Sequence, residues 1–241
     1  MRMRKKKNSE TRLLRVSEFL YEHNGEPMSD PAGRVFFNTG AEVMLEIGAG
    51  KGAFACEMAM RNPSAAYFAM ERVTDCVLLA AERASAYTEG GVKNLKFIKE
   101  TADRLCDIFA PRTVDRIYLN FSDPWSKKGY AKRRLTHRRY LAVYFNLLKD
   151  GGTLTFKTDN VGLFDFSLEE IEAMGLVPEA VTRDLHSSEW SVGNVMTEYE
   201  TNFAAQGIKI NMLRVRKPCG FAPSLPPELR AGGAEIVGFK K

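Results

Sequence analysis

The sequence predicts an α/β fold, a doubly wound, mostly parallel sheet of seven strands with one antiparallel edge strand and helices on both faces. Three observations predict it. From residue 43 to about 214, apolar β runs alternate with helical patterns. The run over residues 42–47 passes directly into Gly48-Ala49-Gly50-Lys51-Gly52 and then into a helical pattern over 53–61. Strand, glycine loop and helix in that order form the ligand-binding opening of such a sheet. Late in the chain, strand patterns follow one another without a helical run between them, the mark of an antiparallel edge addition.

The elements follow in order. Residues 1–35 are basic, then mixed, with turn residues at Asn24-Gly25 and Asp30-Pro31, and form an arm or cap before the sheet. The first helix is stopped by Asn62-Pro63, and a second strand covers 65–70. A helix over 74–87 ends at Gly90-Gly91, and strands follow over 95–99 and 114–119. A helix over 138–149 ends at Gly151-Gly152. Its Leu141, Tyr144, Phe145 and Leu148 recur at i, i+3, i+4 and i+7, one apolar stripe. Strand 153–157, a weaker helix over 163–174 closing at Gly175, and strand 207–215 complete the pattern. Three segments result: an arm (1–35), the α/β domain (36–216), and a tail (217–241) rich in Pro, Gly and Ala.

Composition bounds the function. The 241 residues are 44% hydrophobic and 27% charged, as in ordinary globular domains. A net charge of +5 permits a polyanionic partner without demanding one. No apolar run reaches membrane-spanning length, and no apolar stretch follows the basic Met1–Lys7, so neither a membrane segment nor a secretory signal is expected. Cys56, Cys76, Cys106 and Cys219 are scattered without a C-x-x-C pair, which favours a reducing cytoplasm and argues against structural zinc. His23, His137 and His186 do not cluster with them, so no metal is expected.

The glycine loop carries a chemical signal. A dinucleotide fingerprint reads G-x-G-x-x-G and sets a helix N-terminus against a pyrophosphate. Here the spacing is G-x-G-x-G, at Gly48, Gly50 and Gly52, and Glu46 precedes it. A carboxylate there repels a pyrophosphate and suits a cofactor with a cationic end and no phosphate, such as S-adenosylmethionine. The next strand ends at Glu71, about 20 residues past the glycines, where an acidic side chain accepts hydrogen bonds from ribose hydroxyls. The bland alternatives are a packing turn for the loop and a dipole-favoured helix start for Glu71.

A second signal follows strand 114–119: Leu119-Asn120-Phe121-Ser122-Asp123-Pro124-Trp125-Ser126-Lys127. A structural turn needs the Asp and the Pro, but not the Trp and the Lys. Then come Lys132-Arg133-Arg134 and His137-Arg138-Arg139. Cations at a helix start oppose its dipole, so something must compensate them. Nucleic-acid phosphates would do so, against the alternative of a solvated loop. Phe156-Lys157-Thr158-Asp159-Asn160 and Thr197-Glu198-Tyr199-Glu200 lie at the same sheet edge. Their plain readings are helix capping by Thr158 or Asp159 and a solvated acidic turn.

With these motifs in hand, the chain resembles the bacterial tRNA (guanine-N7)-methyltransferases over roughly residues 36–210. The resemblance rests on the glycine loop with Glu46, the Asn120-to-Lys127 motif, Lys132-Arg133-Arg134-Leu135-Thr136, Lys157-Thr158-Asp159-Asn160 and Thr197-to-Glu200. It implies a Rossmann-like, S-adenosylmethionine-dependent enzyme that methylates N7 of the variable-loop guanine of tRNA; a cytoplasmic monomer or homodimer is expected, with neither metal nor membrane. Glu46, Gly48, Gly50, Gly52, Glu71, Asn120 and Asp123 would then hold the methyl donor, with Asp123 also catalytic. Lys127, Asp159, Thr197, Glu198, Tyr199 and Glu200 would contact substrate, with Lys132, Arg133 and Arg134 on its phosphates. Where family members carry an aspartate near the adenine, this chain has Thr101, whose hydroxyl can still hydrogen-bond. Amino-group methyltransferases use a related Asp/Asn-Pro-Pro-aromatic turn, but here a single proline precedes the aromatic and a lysine follows.

Overall fold

A computed structural model of the chain describes residues 8–232. The basic run Met1–Lys7 and residues 233–241 of the tail lie outside the described residues. The elements run α1 (Ser9–Arg15), β1 (Leu20–Tyr21), α2 (Pro31–Phe36), β2 (Val43–Ile47), α3 (Ala53–Arg61), β3 (Ala66–Met70), α4 (Thr74–Ala86), β4 (Leu95–Ile98), α5 (Leu105–Ile108), β5 (Val114–Asn120), α6 (Arg138–Leu147), β6 (Leu148–Thr158), α7 (Val161–Ala173), β7 (Pro178–Thr182), α8 (Glu198–Ala204) and β8 (Asn211–Arg216).

The strands form one sheet in the order β1-β4-β3-β2-β5-β6-β8-β7. All pairings are parallel except those of β8, which runs antiparallel to β6 and to β7. The antiparallel strand thus lies at the expected end of the sheet, one place in from the rim. The sheet has eight strands where seven were expected. The extra one is β1, a two-residue piece of the arm that pairs Leu20 with Phe97 and Tyr21 with Ile98. Two residues carry no period-2 signal, and short edge strands are how sheets blunt their rims. Strand β7 is silent for a similar reason, since only Ala180 of its five residues is buried.

The alternation of side chains sorts the core. Val43, Leu45, Ile47, Phe68, Ile117, Leu119 and Phe156 face the layer of α5, α6 and α7. Met44, Tyr67, Ala69 and Tyr118 face α3 and α4. By the same alternation Glu46, Asn120 and Lys157 point to the α3 side, at the carboxyl ends of β2, β5 and β6. The neighbours of β2 lie on opposite sides, β3 on one and β5 on the other, so the chain order reverses there and a crevice opens.

Helix starts follow local chemistry. Asp30 caps α2, accepting from Gly33 N at 2.9 Å with Pro31 in the first turn. Asn160, rather than Thr158 or Asp159, caps α7, accepting from Leu163 N at 2.8 Å. Helix α6 ends at Leu147 instead of running to Lys149, because Leu148 already pairs with Val114 of β5. The glycine pair therefore lies inside β6. A Cβ on Gly152 would stand 2.9 Å from the Asp115 carbonyl oxygen.

The described part of the arm is docked. Arg12 on α1 makes a two-pronged bond to Glu82 on α4, at 2.8 and 2.7 Å. The described part of the tail runs back over the other layer. Phe221 packs edge-on against Phe145, Leu229 is buried, and Gly232 N donates to Asp107 at 2.6 Å. Among the described residues no helix is long and apolar enough to cross a membrane, and no three His, Cys, Asp or Glu side chains are grouped as a metal site.

Candidate active site

The glycine loop leaves β2 with three left-handed residues, Gly48 (φ +85°), Gly50 (φ +55°) and Gly52 (φ +74°), a region that glycine enters without strain. Their surroundings differ. A Cβ on Gly52 would lie 2.8 Å from Ala80 Cβ and 3.0 Å from the Phe97 ring, so Gly52 serves close packing of the loop on α4 and β4. A Cβ on Gly50 would meet nothing within 4 Å, and on Gly48 only Leu135 at 3.9 Å. These two glycines face open space. Gly48 N and Ala49 N donate to the Met70 carbonyl at 2.9 and 3.0 Å, stitching the loop to β3. Glu71, just past β3, accepts from Gly50 N at 3.1 Å and from Val73 N at 2.8 Å. Its carboxylate joins the loop to the start of α4. Thr101 stands exposed beyond β4 at the same sheet edge.

Glu46 is 2% exposed. Asn120 Nδ2 donates to its Oε1 at 2.9 Å, while Glu46 Oε2 and Asn120 Oδ1 are buried with no partner. Burial pushes the Glu46 carboxyl up to about 7, against the Asn120 hydrogen bond and the Lys157 charge. A buried acceptor without a partner is a costly arrangement that a ligand donor would relieve.

Strand β5 delivers the second half. Beyond Asn120 the chain turns sharply, with Phe121 (φ +51°) and Trp125 (φ +40°) both left-handed. Asp123 is exposed, and among the described residues nothing pairs with its carboxylate. It lines an open depression of about 350 Å3 with Pro124, Trp125, Ser126, Lys127 and Tyr130. Trp125 meets Tyr130 edge-on at 5.9 Å, and the Arg133 guanidinium covers both rings at 5.1 and 4.6 Å. A larger depression of about 440 Å3 lies over the sheet toward the amino ends of β2 and β5. Its charges largely pair with protein groups, such as Arg116 with Glu42 at 2.5 Å and Lys149 with Asp115 at 2.8 Å. The smaller depression is the one at the strands' carboxyl ends, where such sheets bind ligands.

The four residues Thr197 to Glu200, expected together on a substrate, divide into separate tasks. Thr197 caps α8, accepting from Glu200 N at 3.0 Å. Glu198 is exposed and paired with Arg83 of α4. Tyr199 is 66% exposed and stacks on Phe121 at 6.4 Å and 20°. Glu200 is 0% exposed and accepts from Lys157 at 2.6 Å and Asn194 at 2.6 Å, with His186 Nε2 at 2.9 Å. Glu200 is thus sealed from substrate, which corrects both the expected contact and the reading of a solvated turn. Of its partners, Lys157 stood in the sequence only as part of the motif at 156–160 and His186 only as a histidine away from any metal site, while Asn194 was not singled out. The Thr-x-x-Glu capping pattern at 197–200 together with a lysine inside an apolar strand is the signal that could have found them. Asp159 is half-buried and, with Asn160 acting as the cap, stays unengaged among the described residues.

The basic run divides too. Lys127, Lys132 and Arg133 are exposed. Arg134 is half-buried, its Nε donating to Pro124 O at 2.9 Å and its Nη2 to Trp125 O at 3.2 Å. Arg138 and Arg139, where phosphate compensation was expected, are compensated by the protein. Glu170 accepts from Arg138 Nη2 at 2.8 Å and from its backbone N, and Asp103 accepts from Arg139 at 2.8 Å.

Comparison with known proteins agrees with this geometry. Residues 40–213 match the model of a family described as "Putative methyltransferase". The chain is 46% identical over 191 residues to a tRNA (guanine-N(7)-)-methyltransferase of Lachnoclostridium phytofermentans, covering 79% of this chain and 87% of that protein. It is 39% identical over 197 residues to the tRNA (guanine-N(7)-)-methyltransferase of Bacillus subtilis, covering 80% and 91%. Among solved structures, the 16S rRNA methyltransferase KamB superposes with a TM-score of 0.60 over 80% of this chain and 95% of that one. At 12% identity it speaks for the fold alone.

Proposed function

The chain belongs to the family of tRNA (guanine-N7)-methyltransferases, and on that premise we propose that it transfers a methyl group from S-adenosylmethionine to N7 of the variable-loop guanine of tRNA, forming 7-methylguanosine, in the cytoplasm. The observation that carries this reading is one crevice holding buried Glu46 beside an open glycine loop and a free Asp123 carboxylate after β5.

The residues present fit the donor. Glu46 Oε2 is a buried acceptor awaiting a donor, and Gly48 and Gly50 leave room against the loop. Two carboxylates, Glu46 and Glu71, flank the loop; they would repel a pyrophosphate and favour a cationic, phosphate-free molecule. Glu71 would accept from the ribose hydroxyls, Asn120 holds Glu46 in place, and the Thr101 hydroxyl would bond the adenine. When bound, the sulfonium supplies an activated methyl group.

The chain's own residues do the rest. Guanine N7 carries a lone pair on the major-groove edge, so no base is needed to activate it. Catalysis is then mainly positioning, with nitrogen and methyl carbon held in line. Asp123 accepts from the guanine N1–H and N2–H2 edge, which holds the base. It also stabilises the positive charge that spreads over the ring as N7 is methylated. Trp125 and Tyr130 wall the depression. Lys127, Asp159 and Tyr199 ring the entrance, and Tyr199 offers a flat face for stacking. The variable-loop guanine is stacked in folded tRNA, so it must be drawn out to reach Asp123. Lys132 and Arg133, both exposed, supply cations for the backbone phosphates.

The test is nucleoside analysis of unmodified tRNA incubated with the protein and the methyl donor. The expected product is 7-methylguanosine. Methylated adenosine or cytidine, or no methylated nucleoside, would end this reading.

A further inference from the structure

The turn that presents Asp123 is held in an unusual way. Trp125 sits at φ +40°, a conformation that non-glycine residues keep only when their surroundings impose it. Pro124 has no N–H, so the turn is not tied down by a backbone donor at that residue. The carbonyls of Pro124 and Trp125 point instead at one guanidinium, that of Arg134, at 2.9 and 3.2 Å. The opposite end of the tie is fixed as well. The guanidinium lies over the Phe166 ring at 4.3 Å, and Phe166 sits on α7 against the core. Arg134 also has its own backbone tied in, donating to Ala131 O at 3.0 Å and accepting from His137 N at 3.0 Å.

We infer that Arg134 is a positioning residue for transfer: it fixes the Asp123–Trp125 turn by two in-plane hydrogen bonds and does not read tRNA phosphate. The inference rests on Asp123 being the group that holds the guanine. A contiguous path then runs from the core through Phe166 and Arg134 to the two carbonyls that follow Asp123. The guanidinium suits this task because its donors are coplanar and its face stacks on an aromatic ring. An ammonium is a point charge without that fork. The neighbouring Lys132 and Arg133 are exposed and lack such carbonyl contacts. The triplet that looks uniform in sequence therefore contains an exposed lysine, an exposed arginine lying over the Trp125 and Tyr130 rings, and one arginine tied to backbone carbonyls.

The experiment compares Arg134→Gln, Arg134→Lys and Phe166→Leu with wild type in single-turnover methyl transfer to unmodified tRNA, and in tRNA binding across a salt series. Loss of register in a positioned group costs up to about a hundredfold in rate. Arg134→Gln and Arg134→Lys should lose roughly tenfold to a hundredfold at saturating tRNA, and Phe166→Leu should lose less. The log–log salt slope of tRNA binding should stay at its wild-type value in all three, while the Lys132→Ala, Arg133→Ala pair lowers it. A lower slope with a wild-type saturated rate would make Arg134 a phosphate contact and overturn the inference. A wild-type rate in Arg134→Lys would overturn it too, since charge alone would then suffice. If Arg134→Gln fails to fold, Arg134→Lys and Phe166→Leu still decide. Failure of wild type to methylate tRNA would instead overturn the proposed function, a separate result.

Discussion

Lys157 Nζ and the Glu200 carboxylate meet at 2.6 Å with side chains 4% and 0% exposed, which joins β6 of the sheet to α8 beneath the candidate site. The lysine uses all three donors, the other two going to Val195 O at 2.8 Å and Asn194 Oδ1 at 3.1 Å. Burial pushes the Glu200 carboxyl up, but the Lys157 charge and hydrogen bond, together with the hydrogen bonds from His186 and Asn194, hold the group below its usual range. Segment 192–200, which carries exposed Tyr199, is therefore anchored from below.

Removing one partner strands a buried charge, which costs about 3–5 kcal/mol. Lys157→Met and Glu200→Leu should each lose stability of that order in denaturant unfolding. The double variant should lose clearly less than the sum, since neither charge is then left alone. Additive losses would mean that the two groups do not act as a pair.

Glu46 predicts a trade of stability against binding. Its folded carboxyl is raised to about 7, above the ordinary value of 4.5. Between those pH values the folded protein keeps a proton that the unfolded chain has released. The contribution to stability is therefore full below about 4.5 and lost as pH rises through 7. Glu46→Gln should match wild type in melting at pH 5 and exceed it at pH 8, by on the order of 3 kcal/mol. The same variant should bind the methyl donor more weakly in calorimetry. Wild-type donor affinity should rise as pH rises through about 7, as the carboxylate forms. Tight donor binding by Glu46→Gln would remove Glu46 from the donor site.

Asp123→Asn preserves shape but removes the charge and turns one acceptor into a donor facing guanine donors. Single-turnover transfer should fall about 30- to 1000-fold, or roughly 2–4 kcal/mol. Donor affinity and melting temperature should hold. A rate within about threefold of wild type would reduce Asp123 to a turn residue.

Lys132→Ala with Arg133→Ala should weaken tRNA binding and lower its log–log salt slope by about one unit per lost contact. An unchanged slope in filter binding across the salt series would remove both side chains from the phosphate contacts.

Much of the fold was legible because burial writes periodicity into sequence. Residues 43–47 and 66–70 are unbroken apolar runs bar Glu46, since both faces of those strands are covered. Glu46 was legible as a site residue because it breaks such a run beside three glycines. Strands β1 and β7 were not legible, being short or exposed at the rims. Side-chain engagement was harder to read. Arg134 and Arg133 are adjacent and alike in sequence, yet one is tied to carbonyls and the other lies over Trp125 and Tyr130. Glu198 and Glu200 share a helical turn, yet one is on the surface and the other sealed. Glu198 and Glu200 are told apart by Arg83 and Lys157, 115 and 43 residues distant in the chain, and Arg134 rests on the ring of Phe166 on another helix, partners that no local pattern contains.

This crevice is proposed to methylate guanine N7 in the tRNA variable loop. Mapping by chemical cleavage tests it most directly. Unmodified tRNA treated with the protein and the methyl donor is reduced under mild conditions, exposed to aniline and resolved by length. 7-Methylguanosine alone yields to this treatment, so one new cut is expected, at the variable-loop guanine, absent when donor is withheld and strongly diminished with Asp123→Asn. Methyl incorporation without any cut, or cuts elsewhere in the tRNA, would contradict it.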